Sequence, residues 1–195
     1  DDLKKHGCIT TYNHPVWSRA REDEFIDIEG CTALEIFNYG TVNESATGVD
    51  SLHWDVMLRK GKKIFAVASD DNHNDGIVED SFGGYIVVKA EKLNHESIVQ
   101  AIVDGNYYSS SGPEIFDWGI RDNVAYVQCS SVNRVNFIAG NYINAGGCVV
   151  SRSGKDDITE ARFALRGNED YIRVECTDRH GNTAWTNPIF LKGLR

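Results

Sequence analysis

The side chains best suited to metal chemistry follow an apolar run near the middle of the chain. Residues 67–74 read VASDDNHN, so that Asp71 and His73 stand two positions apart directly after KIFAVA. Carboxylates and imidazoles are suitable ligands for Zn²⁺, Mn²⁺ or Fe²⁺. In an extended segment the side chains of residues i and i+2 point to the same side, so both can converge on a metal ion. The second imidazole nitrogen would need an acceptor, and three carboxylates are near enough in sequence to supply it: Asp70, Asp75 and Asp80.

Further polar residues follow other apolar runs. His14 comes after CITTYN, Asn38 comes after EIF, and Ser111 lies at the end of NYYSSSG. Because the carboxyl ends of parallel strands meet at one edge of a sheet, we expect these residues to share a rim with Asp71. Glu35 lies inside the run ALEIFN, where an unpaired carboxylate would be costly to bury, so it must meet a cation or a donor.

Each of these signals also has a plain structural interpretation. A lone Asp-x-His pair is usually a solvated turn, and His14 before Pro15 could be bonded to backbone at a strand end. The partner of Glu35 could be a lysine or an arginine rather than part of a site. The remaining histidines have no partner set close in sequence and are assigned to the surface or the core: His6, His53, His95 and His180.

The spacing of apolar residues differs between two regions of the chain. Up to about residue 114, continuous apolar strands alternate with segments of helical spacing that end at glycines such as Gly61 and Gly105. This alternation predicts an α/β fold with five parallel strands covered on both faces. From residue 115 to 195, short alternating runs are separated by turn signals, which predicts an antiparallel, Ig-like β-sandwich. Trp118 and Trp185 are expected in its core, although exposed aromatic side chains in such a domain can also bind sugars.

Composition excludes some classes of protein. The chain has 20 basic and 29 acidic residues, so its net charge is 20 − 29 = −9, which argues against nucleic-acid binding. No stretch is long and apolar enough to cross a membrane, so no membrane partner is expected. The five cysteines form no C-x-x-C pair and are interpreted as reduced thiols of a cytoplasmic protein.

The motifs together resemble a known family. The order NHPVWSR, ALEIFNYG, WDVMLRKGKKIFAVASDDNHN, GGYIVVKA and NYYSSSGPEI is similar to the second half of a PHP domain, the polymerase-and-histidinol-phosphatase family of metal-dependent phosphoesterases. The resemblance covers residues 1 to about 115. The tail ending in RHGNTAWTNPIFL resembles the β-sandwich extension of some stand-alone PHP proteins.

The resemblance implies a distorted (β/α)₇ barrel with two or three divalent metal ions (Zn, Mn or Fe) at its rim. His14 matches the metal ligand of the family's His-Pro motif, and Asp71 and His73 match its closing Asp-x-His pair, with possible roles in proton transfer. Glu35 and Asn38 match positions kept near the site, and Asp70 and Ser111 are added as substrate or supporting residues from their positions alone.

One part of the family pattern is absent. The early H-x-H-T-x-x-S-D-G run does not occur in this sequence, and five strands would not close such a barrel. We therefore expect residues 1–114 to be the C-terminal portion of a PHP barrel, with the missing ligands on an N-terminal half of the same protein. Residues 1–195 alone are expected to bind metal weakly and to show no useful activity.

The expected function is hydrolysis of a small-molecule phosphate ester by a metal-activated water in the intact protein. Two alternatives remain open. The same activated water could attack an ester, carbamate or amide carbonyl, which would make the protein another metallohydrolase. Alternatively, the β-domain could be a non-catalytic module that recognises a glycan or a partner protein.

Overall fold

The computed structural model describes residues 2–74, 76–141 and 145–191. The chain forms two compact units, residues 1–111 and residues 112–195. The sequence placed its domain boundary between residues 114 and 115. Helices and strands are both present, strand is the more abundant, and antiparallel pairing predominates.

The first unit contains both helices and strands. Its helices are α1 (Asp2–Lys5), α2 (Glu22–Phe25), α3 (Tyr39–Ser45), α4 (Ser51–Arg59) and α5 (His95–Val103). Its strands are β1 (Thr11–Tyr12), β2 (Ala33–Asn38), β3 (Phe65–Ser69), β4 (Tyr85–Val88) and β5 (Tyr107–Ser110). Strands β1, β2 and β3 form a parallel sheet with β2 at its centre, and Glu35 of β2 lies beside Val67 of β3.

Apolar spacing explains how this sheet is covered. All six residues of β2 are buried, as expected for the central strand of a parallel sheet. Trp54, Met57 and Leu58 of α4 recur at helical spacing and are buried, and the indole N–H of Trp54 donates to the carbonyl of Ile64 at 3.1 Å. Gly61 follows α4 with a φ of +87°, a conformation that glycine adopts without steric cost.

The prediction of five parallel strands is wrong for β4 and β5. These two strands pair with each other in antiparallel register, and Tyr85 lies opposite Ser110. The reason is the return path of the chain. Residues 89–94 lead away from β4, and α5 brings the chain back to the same end, where the N–H of Lys89 donates to the carbonyl of Asn106. A parallel pair would need a crossover to the opposite end of β4.

The second unit consists of strands in antiparallel sheets, as predicted. Its strands are β6 (Ile115–Arg121), β7 (Val124–Val132), β8 (Arg134–Ala139), β9 (Gly146–Val150), β10 (Ile158–Ala164), β11 (Tyr171–Thr177), β12 (Thr183–Thr186) and β13 (Ile189–Phe190). One sheet has the order β10-β7-β6; in the other, β11 pairs with β8, β12 and β13, and β8 pairs with β9. The rings of Phe137 (β8) and Phe163 (β10) stack at 5.7 Å, which joins the two sheets.

Two elements have no counterpart in the sequence prediction. Helix α3 follows β2 directly and lacks a clear apolar period, and β9 lies in a glycine-rich segment that resembles a turn. Among the described helices, none has the length and apolar character that spanning a bilayer requires.

Candidate functional site

One cavity in the first unit is lined by the three metal ligands that the sequence predicted. It has a volume of about 260 Å³. His14, Asp71 and His73 all contribute to its lining. Its other lining residues are Trp17, Gly40, Thr41, Glu44, Val78 and Asp80. The three predicted ligands thus face a common space, although they come from loops after two different strands.

Glu35 lies behind this cavity and is 3% exposed. One carboxylate oxygen accepts the backbone N–H of His14 at 2.7 Å, and the other accepts the hydroxyl of Ser69 at 2.5 Å. The side-chain amide of Asn38 donates a third hydrogen bond to Glu35 at 3.1 Å. Its partners are therefore neutral donors rather than a lysine or an arginine.

Asn38 connects Glu35 to the other side of the cavity. It is 1% exposed, and the Nδ2 group that reaches Glu35 also donates to Oδ2 of Asp71 at 3.0 Å. Its Oδ1 accepts the backbone N–H of Thr41 at 2.9 Å, which caps the start of α3. Because each polar atom of this amide is used, the side chain has one defined orientation and holds Asp71 in place.

His14 has a constrained ring and a constrained backbone. Its Nδ1 lies 3.0 Å from the hydroxyl of Ser18, while no described residue hydrogen bonds to Nε2. A metal-binding imidazole is typically held in this way, through the nitrogen that does not bind the metal. Its φ is +35°, although a residue that precedes a proline strongly prefers extended backbone. Such strain persists only where surrounding contacts enforce it, and it concentrates at functional sites.

Asp71 also adopts a left-handed backbone, with a φ of +52°. The prediction that Asp71 and His73 lie on an extended segment is therefore wrong, although both side chains still line the same cavity. Oδ2 of Asp71 accepts from Asn38, and no described residue donates to its Oδ1. That oxygen remains available for a ligand.

Asp80 anchors the loop that carries His73. It is 7% exposed, and its carboxylate accepts the backbone N–H of His73 at 2.6 Å and the side-chain amide of Asn72 at 2.9 Å. The same carboxylate lies 4.0 Å from Nδ1 of His73, whose side chain is 68% exposed. Of the two proposed acceptors that the structure describes, Asp80 lies beside the ring, whereas the carboxylate of Asp70 is bonded to backbone elsewhere. Asp75 lies outside the described residues.

Asp70 and Ser111 have other positions. The carboxylate of Asp70 accepts backbone N–H groups of Phe82, Gly83 and Gly84 at 2.7–2.8 Å, so it fixes the approach to β4 rather than lining the cavity. Ser111 follows β5, whose last residue lies opposite the first residue of β4. Ser111 therefore lies near the start of β4, but it does not line the cavity.

Several lining residues escaped the sequence analysis. Trp17 lies in the run NHPVWSR, and its ring meets that of His14 edge-on at 5.1 Å. Its indole N–H donates to Glu44 on α3 at 2.9 Å. The available signal was a tryptophan three positions after His14 in a polar loop, where no core residue is needed. Glu44, Gly40 and Thr41 could not be placed because α3 was not predicted.

One histidine outside the cavity has a partner that the sequence analysis did not assign. Nδ1 of His53 lies 2.7 Å from Oδ1 of Asp50, which is 5% exposed. Burial raises the pKa of Asp50, and the attraction to His53 offsets only part of that effect. The ring of His53 also packs edge-on against Phe25 at 5.1 Å, in agreement with a packing role. This pair stabilises the start of α4 and does not reach the cavity.

Within residues 2–74, 76–141 and 145–191, no three histidine, cysteine, aspartate or glutamate side chains are grouped closely enough to hold a metal ion. All five cysteines are free. Family models, curated proteins and solved structures were compared with this chain, and none of them matches it.

Proposed function

We propose that the intact protein hydrolyses a phosphate ester with the help of divalent metal ions, and that His14, Asp71 and His73 are ligands at its site. The observation that carries this proposal is the connection between His14 and Asp71. Both have strained backbones, both line one cavity, and both are bonded to the buried pair Glu35 and Asn38. A solvated turn after a strand needs no such support.

The donor set fits a divalent cation in part. His14 and Asp71 each keep one ligand atom that no described residue uses, and each is held through its other atom. Glu44, Asp71 and Asp80 also bring three carboxylates to the cavity wall. These carboxylates would repel a phosphate dianion unless cations neutralised them. The proposal assigns the ligands that complete the site to another part of the intact protein.

The ions, when bound, would lower the pKa of a water molecule and neutralise charge on the phosphoryl oxygens. The protein's own side chains would hold the ligand groups in position. Asn38 and Glu35 fix the separation of His14 and Asp71. His73 is exposed and is anchored through its backbone N–H, so its imidazole would meet a bound ion through Nε2 while Nδ1 faces Asp80.

The same proposal includes the finer features of fold and location. Residues 1–114 would belong to a PHP-like barrel completed by an N-terminal half, and residues 115–195 would form a β-sandwich. Three parallel strands and the sequence resemblance support the first assignment, and the stacked Phe137 and Phe163 support the second. Five free thiols are consistent with a cytoplasmic protein.

The test is a panel of phosphate esters, carboxylic esters and amides offered to the intact protein after loading with Mn²⁺ or Zn²⁺. Asp71→Asn should reduce kcat/KM by more than about 100-fold, because it replaces a ligand that Asn38 orients. Asp122→Asn removes a carboxylate from a turn of the second unit and is the matched control, which should act like wild type. Cleavage of carboxylic esters or amides instead of phosphates would favour the other metallohydrolase class. Failure to cleave any member, with Asp71→Asn indistinguishable from wild type, would overturn the proposal.

A binding role for the second unit is the other candidate, and one observation favours it. A cavity of about 350 Å³ lies on the β6–β7–β10 sheet, where the guanidinium of Arg121 stacks over the ring of Tyr126 at 4.4 Å. Trp185 is only 5% exposed and therefore cannot stack on a sugar. A glycan array that gives binding abolished by Tyr126→Ala, without any metal requirement, would support this role.

A further inference from the structure

We infer that the cavity selects substrates whose leaving group carries an aromatic ring, and that Trp17 is the residue that binds this ring. This inference rests on the proposed function, because it assigns the leaving-group side of the same cavity. The juxtaposition that carries it is a half-exposed indole beside the predicted ligand His14 in the lining of one cavity.

The first argument is the exposure of Trp17. Its residue surface is 44% exposed, whereas Trp54 and Trp185 are 0% and 5% exposed. A tryptophan that lines a cavity and is not needed in the core is typical of a binding surface, since it offers a large contact area at a small cost in conformational entropy.

The Trp17 indole already has a partner for its N–H group. Its only polar group, the Nε1–H, already donates to Glu44. The indole and the His14 imidazole meet edge to face, which covers at most one face of the indole, and 44% of the residue surface is exposed. Aromatic surface therefore remains available to a ligand. The face can stack on another ring or attract a cation, but it cannot form a further N–H hydrogen bond.

The volume of the cavity suits a small aromatic substrate. A cavity of about 150 Å³ in another protein holds one benzene ring. The volume here, about 260 Å³, leaves room for one ring and a phosphoryl group. The lining carries apolar surface at Val78 and carboxylates at Glu44, Asp71 and Asp80. The cavity therefore offers an aromatic surface for a ring beside the proposed ligands for a phosphoryl group, and a compact aryl phosphate monoester needs both.

The experiment is a titration of the intact protein, loaded with Zn²⁺ and followed by NMR of its indole N–H signals. Phenylphosphonate and cyclohexylphosphonate share a head group and differ in the aromatic ring. Wild type should bind the phenyl compound about twofold to tenfold more tightly, which is the range expected for an aromatic pair. Trp17→Leu should remove that preference, and Trp17→Phe should retain it. Phe116→Leu removes an exposed aromatic side chain from the second unit and should behave as wild type.

The outcomes separate this inference from the proposed function. Equal binding of both phosphonates by wild type would overturn the inferred preference for an aromatic ring. It would leave the proposed phosphoryl site unaffected. Tighter binding of phosphocholine than of phenylphosphonate would overturn it in favour of a cation on the Trp17 face. Should neither phosphonate bind, benzyl alcohol and cyclohexylmethanol supply the test without a phosphoryl group. A Trp17-dependent preference for benzyl alcohol would then support the aromatic site although the proposed function had failed, and equal binding of the alcohols would overturn both.

Discussion

Glu35 in the first unit and Glu169 in the second are equally buried, at 3% exposure each, yet their hydrogen bonds lead to different places. Glu35 accepts from the backbone of His14 and from the side chain of Asn38, which also donates to Asp71, so its contacts lead to the cavity wall. Glu169 accepts backbone N–H groups of its own loop, from Arg166 and Gly167. Burial alone therefore does not show that a carboxylate belongs to a site. The residues that its hydrogen-bond donors contact in turn decide this.

Backbone strain differs between the units in the same way. In the second unit, positive φ values at Asp122 and Asn123 lie in the tight turn between β6 and β7, where aspartate and asparagine are well tolerated. In the first unit, His14 and Asp71 have positive φ values on the cavity wall, next to the connected pair Glu35 and Asn38. Positive φ values thus form a turn in the second unit, whereas in the first unit they position two side chains on the cavity wall.

The largest loss of stability should come from replacing two glycines, one in each unit, that pack against backbone. A Cβ at Gly48 would overlap the Asn38 carbonyl oxygen, and one at Gly146 would overlap the Phe137 carbonyl oxygen. Gly48→Ala and Gly146→Ala should each lower the free energy of unfolding by about 3 kcal/mol in urea titrations. Only Gly48→Ala should also reduce the Zn²⁺ content of the intact protein, because it displaces Asn38. Equal Zn²⁺ content in both variants would break the distinction between the units.

Replacement of the two buried carboxylates should sharpen the comparison further. Glu35→Gln and Glu169→Gln each turn an acceptor of several N–H or O–H groups into an amide, and each should cost about 1–3 kcal/mol. The amide NMR signals of His14 and Asp71 should move in Glu35→Gln and stay in place in Glu169→Gln. If Glu35→Gln left both signals unchanged, the proposed connection across the cavity would be wrong.

Glu169 also predicts a pH dependence. Desolvation raises the pKa of Glu169, but the backbone N–H groups of Arg166, Asn168 and Gly167 outweigh it, and the net effect lowers the pKa below 4.5. A carboxyl group with a lowered pKa in the folded state stabilises the fold above its unfolded pKa and loses that contribution as pH falls through the folded pKa. The stability difference between wild type and Glu169→Gln should thus be constant near neutral pH and shrink below pH 4.5. A difference that grew on acidification would contradict the assignment.

The smallest change in stability should come from relief of backbone strain. Asp71→Gly and Asp122→Gly both place glycine at a positive φ, where it is not strained, so unfolding free energies should stay within about 1 kcal/mol of wild type. Asp71→Gly should nevertheless lose metal from the intact protein, whereas Asp122→Gly should keep it. Retention of metal by both variants would show that the strain at Asp71 serves the fold alone.

The sequence predicted the elements that local patterns determine. Buried β2, the apolar face of α4 and the polar ends of β2 and β3 follow from spacing and from glycine stops, and so does the placement of Asn38 and Asp71 near one another. The antiparallel direction of β4 and β5 did not follow, because it depends on where the chain returns after α5 rather than on any residue pattern. Asp80 was one of three carboxylates proposed to accept from the His73 imidazole, and spacing alone could not separate them; its bond to the backbone N–H of His73 was not predicted.

Trp17 shows the other limit of sequence reasoning. The position of its ring depends on Glu44, which approaches it from α3, and on the cavity that both residues line. Neither is encoded in the residues next to Trp17. Contacts between distant segments decide whether such a side chain is packed or presented, and those contacts appear only in the folded chain.

The central claim is that His14, Asp71 and His73 belong to one metal site supported by Asn38 and Glu35. Elemental analysis of the purified intact protein, and of residues 1–195, after dialysis against buffer tests it most directly. The account predicts stoichiometric metal in the intact protein, little in residues 1–195, and loss of metal from the intact protein in Asp71→Asn but not in Asp122→Asn. An intact protein without metal, or one whose metal content is unchanged by Asp71→Asn, would contradict it.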